Sequence, residues 1–212
     1  MIRVLIADDH AIVRSGLKQI LTDSGGITVV AEAENGIEAV QKVRALEGGL
    51  DAVVLDISMP GSSGIDALKM IRDVAPKLPV LILSMYPEEQ YAVRLIKSGA
   101  SGYMTKETAP QELVDAIRKV AAGKKYISPS VAEMLAEEVG GGNSSLLHAN
   151  LSDREYQILL KLASGKTVSG IADEMSLSVK TISTYRSRVL GKMRMKNNAE
   201  LTHYVISHQL AG

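Results

Sequence analysis

The chain has no cysteine, no tryptophan and no phenylalanine among its 212 residues. Without cysteine there is no disulfide and no thiolate metal site, which fits a reducing cytoplasm. Without Phe and Trp the core must be Val, Ile, Leu, Ala and Met, and a hydrophobic content of 46% is enough to build one. No apolar run approaches the roughly 20 residues needed to cross a bilayer, so no membrane partner is expected. The N-terminus reaches acid at Asp8 and Asp9 too soon for a signal h-region. Net charge is missing too, with 24 Lys and Arg against 24 Asp and Glu. That balance hides an asymmetry. Residues 147–212 hold nine of the basic and five of the acidic residues, net +4, and residues 1–146 carry the opposite −4. Two modules with different partners are expected.

What is present begins with residues 52–64. Ala52 to Leu55 is an unbroken apolar run bounded by turn residues, which suits a strand buried on both faces of a parallel sheet. It delivers one carboxylate, Asp56, and the chain then turns at Met59, Pro60 and Gly61. Similar runs at 2–7, 28–33, 80–83 and 102–104 predict four more strands. Helices are predicted between them at 11–22, 36–46, 64–74 and 88–97. The inward positions are Ile12, Val13, Leu17, Ile20 and Leu21, then Ile37, Val40 and Val43, then Ile65, Leu68 and Ile71. Thr108, with Gln111 three residues on, predicts a capped helix running to Ala122. Strands alternating with helices mean a doubly wound parallel sheet with right-handed crossovers. Residues 126–139 are partly helical in pattern, and Gly140 to Ser145 is a flexible linker by composition.

In a sheet of order 2-1-3-4-5 the first and third strands are neighbours, and ligands gather outside the carboxyl ends. Asp8, Asp9, Asp56, Ser84 and Lys106 then share one edge. Any one of them alone reads as a turn, a strand-end hydroxyl or a surface lysine; five in order make a site. Converging carboxylates need a cation, and hard oxygen ligands suit Mg²⁺. An Asp carboxylate beside Mg²⁺ is a competent nucleophile toward phosphorus. Ser84 and Lys106 are placed to meet phosphoryl oxygens.

On these residues, with Met59, Pro60, Gly61 and Gly64, the front of the chain resembles the receiver domain of two-component response regulators. The resemblance covers about residues 1–122 and implies a flavodoxin-like α/β fold. It implies Asp56 as phosphoacceptor and direct Mg²⁺ contacts from Asp9 and Asp56. Asp8 would act through water, and the Ser58 carbonyl would be a further ligand. It also implies Tyr103 as switch aromatic, and that phosphorylation draws Ser84 and Tyr103 inward. Glu107, not proline, follows Lys106.

The back half has a different texture. Ser152 and Glu155 form a capping box, with Leu151 and Tyr156 placed as a hydrophobic staple. Short helices are predicted to about Ser164, over 167–175, from Ser178 to Met193, and over 197–208. The middle pair suits a helix-turn-helix. On the third, Val179, Ile182, Val189, Leu190 and Met193 share one side. Lys180, Ser183, Thr184, Ser187, Arg188 and Gly191 share the other. No acidic residue occurs from Leu177 to Ala199, which favours nucleic acid. Residues 151–155, 162–165, 171–172, 178–183 and 192–193 resemble the LuxR-type helix-turn-helix of NarL/FixJ regulators. Lys180, Thr181, Ser183, Thr184, Ser187, Arg188 and Lys192 would then meet DNA. The last helix would pair two copies through Ala199, Tyr204, Val205 and His208.

The expected organisation is a receiver at 1–122, a linker at 123–147 and an all-α DNA-binding domain at 148–212. Expected partners are a sensor histidine kinase, inverted DNA half-sites, a second copy once phosphorylated, and RNA polymerase. The competing class is an enzyme, a phosphatase with an aspartyl nucleophile. That chemistry wants an acid two residues after the nucleophile, and Ser58 stands there. Only self-phosphorylation and slow self-dephosphorylation are therefore expected. A third reading, a regulator that binds DNA without phosphorylation, does not use the five-residue site.

Overall fold

The computed structural model describes residues 1–59, 64–139, 147–208 and 210. The expected turn at Pro60 and Gly61 and the linker at 140–145 lie outside these residues. The chain forms two compact units, residues 1–131 and 132–212.

The first unit is a five-stranded sheet of β1 (Ile2–Ala7), β2 (Ile27–Ala33), β3 (Ala52–Leu55), β4 (Val80–Ser84) and β5 (Gly102–Thr105). The order is β2-β1-β3-β4-β5 and every pairing is parallel. Five helices connect and follow the strands: α1 (Ala11–Asp23), α2 (Gly36–Ala45), α3 (Gly64–Val74), α4 (Glu88–Lys97) and α5 (Pro110–Ala121). Side chains alternate across the sheet. Val4, Ile6, Val54, Leu81 and Leu83 meet Leu17, Leu21, Leu113 and Ile117 of α1 and α5. Leu5, Val53, Leu55 and Ile82 serve the opposite face and are fully buried as well. Between β1 and β2 the register slips after Val4, so Val30 has no partner and stands 42% exposed.

Two apolar residues of the expected inner faces turn outward. Ile12 is 88% and Ile37 56% exposed. At about 100° per residue Ile12 lies nearly opposite the stripe of Arg14, Leu17 and Leu21 that α1 buries, and Ile37 lies just beyond the stripe of Gly36, Ala39, Val40 and Val43 that α2 buries. Thr108 is not a cap. Pro110 takes the first helical position, where its missing N–H costs nothing, and Ala109 precedes it as N-cap. The Thr108 hydroxyl lies 3.2 Å from that of Thr105 instead.

After α5 the chain returns to the sheet edge. Tyr126 N–H donates to Ser101 O at 2.8 Å, and Tyr126 bridges Gly102 in parallel. Ser128 Oγ donates to Glu88 Oε2 at 2.8 Å and accepts from Val131 N–H at 3.2 Å, opening α6 (Pro129–Val139). Val131 is 1% exposed.

The second unit has a 3₁₀ turn (Leu147–Asn150) and four helices: α7 (Asp153–Ala163), α8 (Val168–Glu174), α9 (Val179–Met193) and α10 (Asn198–Ser207). Each helix has a side-chain cap, from Ser152, Thr167, Ser178 and Asn197 in turn. The Ser152–Glu155 capping box is present in both directions. Gly165 ends α7 at φ +83°, where a side chain would be strained. Ile158, Leu159, Ile171, Ile182, Val189, Met193 and Leu201 form the core.

Candidate functional site

The acidic pocket forms where the parallel strands end. Asp8 and Asp56 leave the adjacent strands β1 and β3, and Lys106, just past β5, spans them. Its Nζ lies 2.6 Å from Asp8 Oδ2 and 2.8 Å from Asp56 Oδ2. Both carboxylates are buried, and Asp9 is partly exposed. Ligand atoms of Asp8, Asp9, His10 and Asp56 all lie within 4.8 Å of one another.

Burial pushes the Asp56 carboxyl above the usual range. Lys106 and the Ser58 N–H, 3.0 Å away, work against that rise, and the charge of Asp8 adds to it. Burial would lower Lys106, but Asp56 and Asp8 outweigh it and hold the ammonium charged. One lysine therefore faces three carboxylates. Asp9 Oδ1 is buried and accepts no hydrogen bond, although His10 Nδ1 stands 2.9 Å away. A hard divalent cation would meet that oxygen and offset the remaining charge, so the donor set fits Mg²⁺.

Ser84 is fully buried, and its Oγ accepts from Tyr86 N–H at 3.1 Å. Tyr103, 1% exposed, donates its hydroxyl to Tyr86 O at 2.7 Å. Burial raises its pKa far above that of a free phenol. Both side chains lie inward, tied to the two ends of the Tyr86 backbone. The peptide bond after Lys106 is trans.

On α9, Lys180, Ser183, Thr184, Ser187, Arg188, Gly191 and Lys192 are all exposed, as the periodicity expects. Val179, expected on the inner side, is 49% exposed. Thr181 is half-buried and shares a 2.7 Å hydrogen bond with Ser178. Thr184 Oγ1 donates to Lys180 O at 3.0 Å and Ser187 Oγ to Ser183 O at 3.1 Å, so both hydroxyl oxygens present lone pairs outward. The Arg188 guanidinium lies 5.8 Å from the Tyr185 ring centre. Lys192 is held back: its Nζ is 2.6 Å from Glu155 Oε2 of the capping box. Burial works against ionising Glu155, but Lys192 and the Ser152 N–H outweigh it and keep its carboxyl below the usual range.

On α10 the expected pairing face is only half available. Val205 is 2% and Tyr204 8% exposed, because both turn into their own unit. The Tyr204 hydroxyl meets His148 Nδ1 at 2.9 Å, and its ring stacks on His208 with centroids 3.9 Å apart. Ala199 and His208 are exposed as expected, and His203 and Ile206 join them.

A parallel sheet with carboxylates and a lysine at its strand ends, joined to a capped helix-turn-helix, defines a receiver coupled to an effector. Comparison with known proteins agrees. Residues 4–118 match the response regulator receiver domain, and residues 149–205 match the bacterial regulatory proteins of the luxR family. Response regulator UvrY of Escherichia coli is 38% identical over 211 residues, 99% of this chain and 96% of its own. Response regulator GacA of Pseudomonas aeruginosa is 37% identical over 209 residues, 98% and 97% of the two chains. The structure of RcsB from Salmonella enterica serovar Typhimurium, bound to promoter rprA with phosphomimetic BeF3−, superposes with a TM-score of 0.65. It is 26% identical and covers 97% of this chain and 98% of its own. The chain belongs to the two-component response regulators that carry a LuxR-type DNA-binding domain.

Sequence reasoning missed three residues of these sites. His10 flanks the acidic cluster and was legible only as part of the run it ends. Arg14 lies buried on the stripe of α1 that holds Leu17 and Leu21, and an arginine on an apolar stripe is itself the signal. Glu155 was read as a cap alone, yet it also holds Lys192.

Proposed function

We propose that the protein is a phosphorylation-switched, DNA-binding transcriptional regulator, with residues 1–122 as receiver, 123–147 as linker and 148–212 as effector. The observation that carries this reading is the convergence of Lys106 on Asp8 and Asp56 beside the unsatisfied Asp9 oxygen. An Asp56 carboxylate oxygen attacks the phosphorus of a phosphohistidine on a sensor kinase; the P–N bond breaks and an O–P bond forms. Ser84 and Lys106 would donate to the phosphoryl oxygens that result. Asp8, Asp9, Asp56 and the Ser58 carbonyl would hold Mg²⁺, which supplies neutralising charge to the group in transfer. DNA as partner places the protein in the cytoplasm, with RNA polymerase as a further partner at the promoter.

On the effector, Lys180, Arg188 and Lys192 supply affinity for phosphates, and Thr184 and Ser187 supply sequence preference. Their outward lone pairs suit the amino donors of adenine or cytosine in the major groove. Ser183 and Thr181 flank them. Pairing of two copies on inverted half-sites uses Ala199, His203 and Ile206, a stripe of i, i+4 and i+7 on the exposed side of α10.

Footprinting on genomic fragments, with and without acetyl phosphate, tests the whole reading. A footprint that strengthens with the phosphodonor and Mg²⁺, together with a shift from monomer to dimer, is the expected result. No protected site under either condition removes DNA as the partner. Protection that is equal in both favours the phosphorylation-independent regulator. At finer grain, Lys180→Ala and Arg188→Ala should each lower the salt slope of binding by about 1. Lys192→Ala should lower the slope and also the melting temperature, because it leaves Glu155 without its cation. Unchanged slopes would take these side chains off the phosphates.

A further inference from the structure

The strand-end pocket needs Asp9 to point at the same place as Asp8 and Asp56, yet its Oδ1 accepts no hydrogen bond and has only His10 Nδ1 beside it, at 2.9 Å. The geometry of the loop shows what aims it. Arg14 is only 7% exposed although it carries a full charge, and burying a guanidinium is costly unless its N–H groups are met. Its Nη1 donates to Asp8 O at 2.7 Å, and its backbone N–H donates to His10 O at 3.1 Å. The side chain thus grips the carbonyl that precedes Asp9, while the first backbone hydrogen bond of α1 holds the carbonyl of His10 beyond it. On the far side, Asp8 N–H donates to Ala33 O of β2 at 3.1 Å. Peptide units are planar, so fixing the Asp8 carbonyl also fixes the nitrogen and Cα of Asp9. Glu34 anchors the clamp: Arg14 Nη2 donates to its Oε1 at 2.7 Å, while Nε makes no hydrogen bond and has only the charge of Glu32 Oε2, 3.6 Å away.

We infer that Arg14 is a positioning residue for the cation-binding loop, holding Asp9 beside Asp8 and Asp56 before a cation arrives, with Glu34 as its anchor. This rests on the reading of the strand-end pocket as a Mg²⁺ site. Arg14 touches neither the cation nor the phosphoryl group. Its effect is to prepay the ordering of the loop, so it acts on cation affinity and not on the transfer step. Lysine cannot replace it. An ammonium is a point donor without the fork that reaches Asp8 O and Glu34 at once.

The test is calorimetric titration of the unphosphorylated full chain with Mg²⁺, for wild type, Arg14→Met, Arg14→Lys and Glu34→Gln, each first shown to be folded by its thermal melt. Arg14→Met should weaken Mg²⁺ by about tenfold, within the range seen when residues supporting metal ligands are removed. Arg14→Lys should recover only part of that, and Glu34→Gln should weaken binding less than either. In phosphate uptake from acetyl phosphate, the Mg²⁺ concentration at half-rate should rise in step, while the rate at saturating Mg²⁺ stays within about twofold of wild type. Folded Arg14→Met with wild-type affinity overturns the inference, as does a rate that saturating Mg²⁺ fails to restore. Should Arg14→Met not fold, Arg14→Lys decides, and unchanged affinity there overturns it. A wild-type chain that takes no Mg²⁺ refutes the reading of the pocket itself, a separate outcome.

Discussion

Asp56→Asn should leave the protein unable to take up phosphate, whereas wild type incubated with acetyl phosphate and Mg²⁺ should gain one phosphate per chain. The amide is nearly isosteric and keeps an oxygen for the Ser58 N–H, but it cannot act as a nucleophile toward phosphorus. Loss of folding is not the expected cause. Burial raises the Asp56 pKa, so the protonated carboxyl is the form the fold prefers. The stability it contributes is fully present below its unfolded value and is lost as pH rises through the folded value. At neutral pH the carboxylate is therefore a burden that Lys106 only partly relieves, and the Asn variant should melt at or above the wild-type temperature. Added Mg²⁺ should raise the melting temperature of wild type and raise that of Asp56→Asn less, because the variant offers one charge fewer. Intact-mass measurement reads the uptake and a thermal melt reads the fold. An Asn variant that labels like wild type would show that another residue accepts the phosphoryl group.

Among the described glycines, Gly64→Ala should be the most damaging alanine substitution. A Cβ built there lies 1.9 Å from Asp56 O, 2.7 Å from Asp56 C and 2.7 Å from Ile57 Cα, all of them backbone atoms. No rotamer change relieves such a clash, so either α3 or the strand end must move. The expected cost is about 3 kcal/mol or more, a fall in melting temperature of roughly 10 °C. Phosphate uptake should fall with it, because the displaced carbonyl is that of the acceptor. Gly16→Ala is the control: an added Cβ there meets nothing within 4 Å, and removing a glycine from a helix interior is favourable by about 0.5–1 kcal/mol. A Gly64→Ala protein that melts within a degree or two of wild type would mean that α3 stands further from Asp56 than described.

Much of this was legible in the chain. The bounds of α3 and α4 follow from apolar period and breakers, and the strands from short apolar runs bounded by turns. The pocket was legible because a parallel sheet sends its strand-end residues to one edge, so that order along the chain becomes position in space. What escaped was set by tertiary neighbours. Ile12 and Ile37 have helical spacing but the wrong angle. Thr108 lost the cap to Ala109, because the proline two residues on takes the first helical position. On α10, Tyr204 and Val205 are as apolar as a dimer face would be, and only the burial shows that they serve their own core. Arg14 interrupts the apolar stripe of α1, but what it does there is set by Glu34, twenty positions away, and the Asp8 carbonyl.

The return of the chain to the sheet edge after α5 has a practical consequence. The far side of β5 would otherwise offer unpaired backbone groups to any passing strand, a common start for edge-to-edge aggregation. Tyr126 pairs there at Gly102, Ser128 ties the segment to Glu88, and Val131 is buried. A fragment cut after residue 122, where the receiver pattern fades from the sequence, would lose this cover at Gly102. A fragment cut after Val131 would keep it. The same ties should shield the peptide bonds between Lys124 and Val131 from proteases in the intact protein, despite the two basic residues that open the stretch.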